Sequence, residues 1–162
     1  MLAGKVRFFM DQLQVMLHNK ILISAVIGWC VAQILKTGIH MYFTKSFVAE
    51  RLVGSGGMPS SHSATVCALT TATGMSYGLG SFEFAMAAIF AIVVMYDAIG
   101  VRRETGIQAK VLNEMMDIFA TMNKNITIED KLKEFVGHSP FQVLMGAILG
   151  ILLAVLVMNF YH

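Results

Sequence analysis

Charge is what this sequence has least of. Only 14% of its residues are Asp, Glu, Lys or Arg, against about 25% in a soluble globular chain. The few charges are also clustered: none falls in 21–35, 52–82, 84–96 or from Phe135 onward. With 56% of residues hydrophobic, these runs argue against a soluble helical domain and predict an integral membrane protein. The net charge of +2 is too small and too scattered to imply a nucleic-acid partner. Cysteine is scarce as well, and Cys30 and Cys67 both lie in apolar segments. They read as small buried hydrophobes rather than a disulfide or a metal pair. Asp11 and Gln12 interrupt the first apolar run, and no small-residue cleavage site follows it, unlike a signal peptide. Internal repeats, linkers and low-complexity segments are lacking, and 162 residues give room for one domain, 1–162.

What is present is helical punctuation. In residues 3–19, Val6, Phe9, Met10, Leu13, Met16 and Leu17 share one broad apolar face, as in a helix lying in the membrane interface, with His18 at headgroup level or capping its end. The run from Ile21 to Leu35, extendable through Ile39, predicts the first spanning helix, and 36–57 then reads as a polar, aromatic connection. A second membrane helix should begin at Met58 or Pro59 and reach Tyr77, its Ser and Thr residues turning it toward protein rather than lipid. After the turn at 77–81, a third helix is expected from Phe82 to Val101, carrying Asp97 near its far end. Ile107, Val111, Met115, Ile118 and Met122 recur at helical spacing, predicting a surface helix over 104–122, with a second short one over 128–136. Residues 140–161 form the last apolar span. The expected fold is therefore all-α: a polytopic membrane bundle of about four spanning helices, an N-terminal interfacial helix and a polar surface-helix excursion. Thirteen methionines suit adaptable packing between helices or against acyl chains.

Four spans put both termini on one side. Lys5, Arg7 and Lys20 give that side three positive residues, while the other side carries the remaining nine of the 12. The positive-inside rule then places the two long polar connections in the cytoplasm. The same topology brings Lys36, Arg51, His62, Arg102, Arg103 and His138 to one face of the membrane.

The chain is organised around Ser55-Gly-Gly-Met-Pro-Ser-Ser-His-Ser-Ala64. Gly54, Gly56 and Gly57 permit tight backbone geometry, and Pro59 suits a first helical position. The free N–H groups of that first turn, with the helix dipole, make a site for an anion, and His62 is close enough to donate a proton to what the anion is attached to. The plainer reading is a helix capped by Ser60 or Ser61, with His62 exposed. His138, in Gly137-His138-Ser139-Pro140, has the same helix-entrance setting. Two histidines, with Lys and Arg from adjacent loops, suit a phosphoryl group: the cations stabilise its oxygens, one imidazole attacks phosphorus and the other protonates the leaving alcohol.

Gly56-Gly57-Met58-Pro59-Ser60-Ser61-His62-Ser63-Ala64 and Tyr96-Asp97-Ala98-Ile99-Gly100-Val101-Arg102-Arg103 resemble the type 2 phosphatidic acid phosphatase family. The likeness is nearest to its small, divergent membrane proteins related to acid phosphatases and vanadium-dependent haloperoxidases, and it covers essentially the whole chain. The family's Pro-Ser-Gly-His motif is matched by Pro59, Ser60 and His62, with Ser61 at the Gly position. The resemblance implies acid catalysis by His62 and phosphate binding by Ser60, Ser61 and local amides including Gly57. In the family's third motif a nucleophilic His follows the Arg by six residues; here Arg102 is followed at that spacing by Gln108, and Arg103 by Ala109. His138-Ser-Pro-Phe-Gln-Val-Leu-Met-Gly146 resembles the His-Tyr-Pro-Ser-Asp-Val-Leu-Ala-Gly end of that motif, so the motif reads as split and implies His138 as nucleophile. The family's orienting Asp falls on Gln142, which can accept the imidazole proton but carries no charge; Asp97 is the candidate to supply one. Its other reading is an ion pair with Arg102, Arg103 or Arg51. The family's first motif, Lys with six residues before Arg-Pro, is matched imperfectly by Lys45 and Arg51, and Lys36 would reach the same site from the end of the first span. Arg102 and Arg103 point about 100° apart on a helix, so only one is expected to face phosphate.

The expectation is hydrolysis of a membrane lipid phosphate without a metal or other cofactor, through a phosphohistidine. Its partners would be an anionic phospholipid or a polyprenyl phosphate in the cell membrane, and a homodimer is an open option. One alternative is a lipid-binding or lipid-transport protein that keeps the phosphate site without turnover; another is a metal-dependent hydrolase using Asp97, Glu104 and the histidines.

Overall fold

A computed structural model of the chain describes residues 2–45, 57–122, 132 and 137–160. Its elements are all helical: α1 (Leu2–Leu17), α2 (Lys20–Thr44), α3 (Ser61–Tyr77), α4 (Phe82–Ile99), α5 (Val101–Met122) and α6 (Pro140–Phe160). α2, the α4–α5 run and α6 are long and apolar enough to cross a membrane. The fourth expected span, α3, has 17 residues and stands at the centre of the bundle, against α2, α4 and α6.

Small residues make that central position accessible. Ala64, Ala68 and Ala72 on α3 have no exposed surface, nor has Ala154 on α6. A methyl group on Gly150 would collide with the Ala64 backbone, and one on Gly146 with the Ser60 backbone. On the other side, a methyl on Gly28 of α2 would lie 3.0 Å from the Ala64 carbonyl oxygen. Close backbone approach through small residues is the usual way helices associate in lipid, where water exclusion gives no drive. Thr70 adds a polar tie by donating to the Ala87 carbonyl of α4 at 3.0 Å. The outer surface is the reverse: Phe82, Met86, Ile89, Phe90 and Val93 of α4 are all exposed, as suits a face toward acyl chains.

Three expectations need correction. The first span does not end near Leu35 or Ile39; α2 continues to Thr44, because no proline or strong breaker interrupts it, and Lys45 caps it in a left-handed conformation at φ 53°. Pro59 is not the first helical residue. Ser60 is the N-cap, with its Oγ accepting the Ser63 N–H at 3.3 Å, so Pro59 lies one residue outside. The surface helix starts at Val101 rather than 104, separated from α4 only by Gly100. α1 matches its expected range, and His18 acts at its end through Nδ1, 2.8 Å from the Gln14 carbonyl oxygen. The short helix expected over 128–136 lies outside the described residues except for Leu132, which is not helical.

Candidate active site

Three chain entrances meet at one corner of the bundle. Ser60, the cap of α3, donates its backbone N–H to the Gln142 carbonyl of α6 at 3.0 Å. His138, two residues before α6, donates its backbone N–H to the Ala98 carbonyl at the end of α4, also at 3.0 Å. Gly137 has φ +91°, and a methyl there would collide with the backbone of Arg102 and Arg103. Gly137 and His138 therefore lie directly on the α4–α5 junction.

This packing brings the two histidines together. The His62 and His138 ring centroids are 6.1 Å apart, with their planes at 61°. His138 is 2% exposed. Its Nδ1 is 3.3 Å from Gln142 Oε1, which also accepts the Ser139 N–H at 3.1 Å. An amide oxygen can only accept, so this contact assigns the proton to Nδ1 and leaves a lone pair on Nε2. Among the described residues, His138 Nε2 and His62 Nδ1 are buried without a hydrogen-bond partner. Each such atom costs on the order of 1–3 kcal/mol unless something reaches it. Burial pushes the His138 pKa below the ordinary 6.5; the Gln142 contact opposes this, while His62, Lys36 and Arg102 act in the same direction as burial.

Lys36 projects from α2 into the same corner and is 2% exposed. Gly57, at φ +86°, lies over its stem: a methyl on Gly57 would sit 3.1 Å from both Cγ and Cδ. Ser60, Ser61 and Ser63 are buried as well. The Ser60 and Ser63 N–H groups are taken by Gln142 and by Ser60 Oγ, so the first turn of α3 has the Ser61 and His62 N–H groups left for a ligand. The capped-helix reading holds at Ser60, whereas His62 is half-buried rather than exposed.

Arg102 and Arg103 both have exposed side chains. Arg102 Nε is 2.6 Å from Asp97 Oδ2, and its charge acts on His138. Arg103 contributes backbone against Gly137, with an exposed side chain. Asp97 pairs with Arg102, and the group on the His138 imidazole is Gln142. Lys45 is exposed and nine residues beyond Lys36, about 13 Å farther along the helix axis. Arg51 lies outside the described residues. Among the described residues, no group of three or more His, Cys, Asp or Glu is placed to hold a metal ion.

One polar residue escaped the sequence reading. Gln33 is 5% exposed on α2, one turn from Lys36, and its Oε1 has no partner among the described residues. Its signal was available: an amide inside an otherwise apolar run, three residues before a lysine.

The divergent PAP2 family matches residues 17–153. An uncharacterised membrane protein of Bacillus subtilis (strain 168), YuiD, is 37% identical over 155 residues, covering 90% of this chain and 98% of its own length. No solved structure matches.

Proposed function

This chain belongs to the divergent PAP2 family, a phosphatase-related group, and on that premise we propose that it hydrolyses a membrane lipid phosphate through a phosphohistidine on His138. The observation that carries the proposal is the 6.1 Å approach of two imidazoles from separate helix entrances. That spacing suits one phosphorus held between an attacking nitrogen and a proton donor.

The steps follow from the atoms present. The phosphate monoester would lie against the Ser61 and His62 N–H groups, with Lys36 and Arg102 on its oxygens. The bare Nε2 lone pair of His138 attacks phosphorus. As the N–P bond forms, the P–O bond to the lipid breaks, and the departing oxygen takes a proton from protonated His62. The Nδ1–H of His138 stays on Gln142 Oε1 throughout. Water then attacks phosphorus, gives its proton to His62, and releases inorganic phosphate and neutral His138. The chain's own donors supply charge stabilisation as preorganised groups. The headgroup would enter at the mouth of the bundle on its cytoplasmic side while the acyl or isoprenyl chain stays in lipid.

A specific residue favours a second reading. Gln142 gives the imidazolium no compensating charge, which suits a protein that binds a lipid phosphate without turning it over. Purified protein in vesicles, offered phosphatidate, phosphatidylglycerol phosphate and polyprenyl phosphates in turn, distinguishes the two. The hydrolase releases phosphate from at least one, sensitive to orthovanadate, and loses about a hundredfold or more in His62→Ala and His138→Ala. Saturable lipid binding with no release selects the second reading. Release unchanged in both variants contradicts the hydrolytic chemistry.

A further inference from the structure

The Asp97–Arg102 pair has a one-sided geometry. Asp97 Oδ2 meets Nε, 2.6 Å away, rather than the two terminal amino groups. A guanidinium presents five N–H donors in a rigid fork. Capturing the Nε–H fixes the plane of the fork and leaves its outer edge, with two terminal nitrogens, available for a bidentate anion. The pair also sits where such an anion would be. Asp97 and Arg102 flank Gly100, at the α4–α5 junction on which His138 and Gly137 pack. Both side chains are partly open, at 38% and 45%, so the pair is reachable and is not a sealed structural bridge.

We propose that Asp97 is a positioning residue: it holds Arg102 by Nε so that the terminal nitrogens of the guanidinium face the phosphoryl oxygens beside His138. This rests on the phosphate-site reading above and adds to it the residue that orders its arginine. It also gives the carboxylate in the last turn of α4 a task that does not involve the imidazole.

The test uses full-length protein in detergent micelles or nanodiscs, with inorganic phosphate as the probe, so that it does not depend on turnover. Two readouts are followed: the Arg102 Nε–H resonance by NMR and the phosphate affinity. In the parent protein the Arg102 Nε–H is expected to be visible and slow to exchange. Asp97→Ala should abolish that signal and weaken phosphate binding by about fivefold, the scale set by a partly exposed charge pair. Asp97→Asn, which keeps an oxygen acceptor, should retain the signal and lose a smaller part. In Arg102→Lys, which has no side-on Nε–H to hold, adding Asp97→Ala should cost nothing further. Tighter phosphate binding in Asp97→Ala would overturn the proposal and make Asp97 a competitor for Arg102. So would equal losses in Asp97→Ala and Asp97→Asn, or an undiminished loss in the Arg102→Lys background. Retention of the fold in each variant is read from the remaining amide spectrum. If the parent binds no phosphate and His138→Ala changes no lipid phosphate hydrolysis, the functional reading itself has failed. Binding by the parent that ignores Asp97 sinks only the positioning role.

Discussion

At the scale of single residues, the His138–Gln142 contact decides which proton sits where. Gln142 Oε1 can accept from Nδ1 but cannot hold an imidazolium by charge, and burial depresses the His138 pKa below the ordinary 6.5. In the proposed reaction the nucleophile is the neutral form, so the acid limb of kcat/KM, where it reflects His138, should fall below the usual histidine range. Gln142→Glu places a carboxylate on Nδ1, favours the charged ring and should move that limb to higher pH; a pH–rate profile of the two proteins checks the direction. A limb that stays put or moves down would show that this ring is not the titrating base. Gly57 offers a second test. A β-carbon there is strained by φ +86° and crowds the Lys36 stem at 3.1 Å. Gly57→Ala should therefore raise KM severalfold by displacing the ammonium, with steady-state kinetics as the measure.

Among the elements, the contacts that matter most are those with the least side chain. Gly146 and Gly150 let α6 lie against the α3 backbone, and Gly150→Ala should cost about 2 kcal/mol or more by overpacking. A lowered unfolding midpoint in detergent would register it. Asn113 of α5, 2% exposed, holds Leu132: it donates from Nδ2 to the Leu132 carbonyl and accepts the Leu132 N–H at Oδ1, both at 2.9 Å. Asn113→Ala strands two backbone groups and should cost roughly 2 kcal/mol, with faster hydrogen exchange at Leu132. Such pairings explain what the sequence could and could not tell. The helices were legible because charge-free runs and glycine breaks mark them, and His62 and His138 because each sits in a recognisable helix entrance. The end of α2 was misplaced because Lys36 looks like a membrane boundary, whereas its stem is covered by Gly57 and the helix runs on. The partner of Asn113, and the assignment of Arg102 rather than Arg103 to the corner, depend on a chain reversal that no local pattern records. The Pro59 register missed by two residues: Ser60 and Ser61 are equally good caps by residue type, and the Ser63 N–H to Ser60 Oγ bond distinguishes them.

Taken whole, the molecule gathers Lys36, His62, Arg102 and His138 at one end of the bundle, and the proposal that this end faces the cytoplasm rests on the charge asymmetry of the chain. With Cys30 and Cys67 replaced by alanine, a cysteine at Leu79 should react with an impermeant maleimide in intact cells, while one at Lys110 should react only after permeabilisation. The reverse pattern would turn the site to the other side without altering its geometry. The central claim is that two imidazoles share one phosphoryl group, and rapid quench with a phosphorus-labelled lipid phosphate tests it most directly. The account predicts a base-stable, acid-labile label on the peptide containing His138, formed faster than phosphate release and absent from His138→Ala. Turnover that continues at the parent rate in His138→Ala, with no label on that peptide, would contradict it.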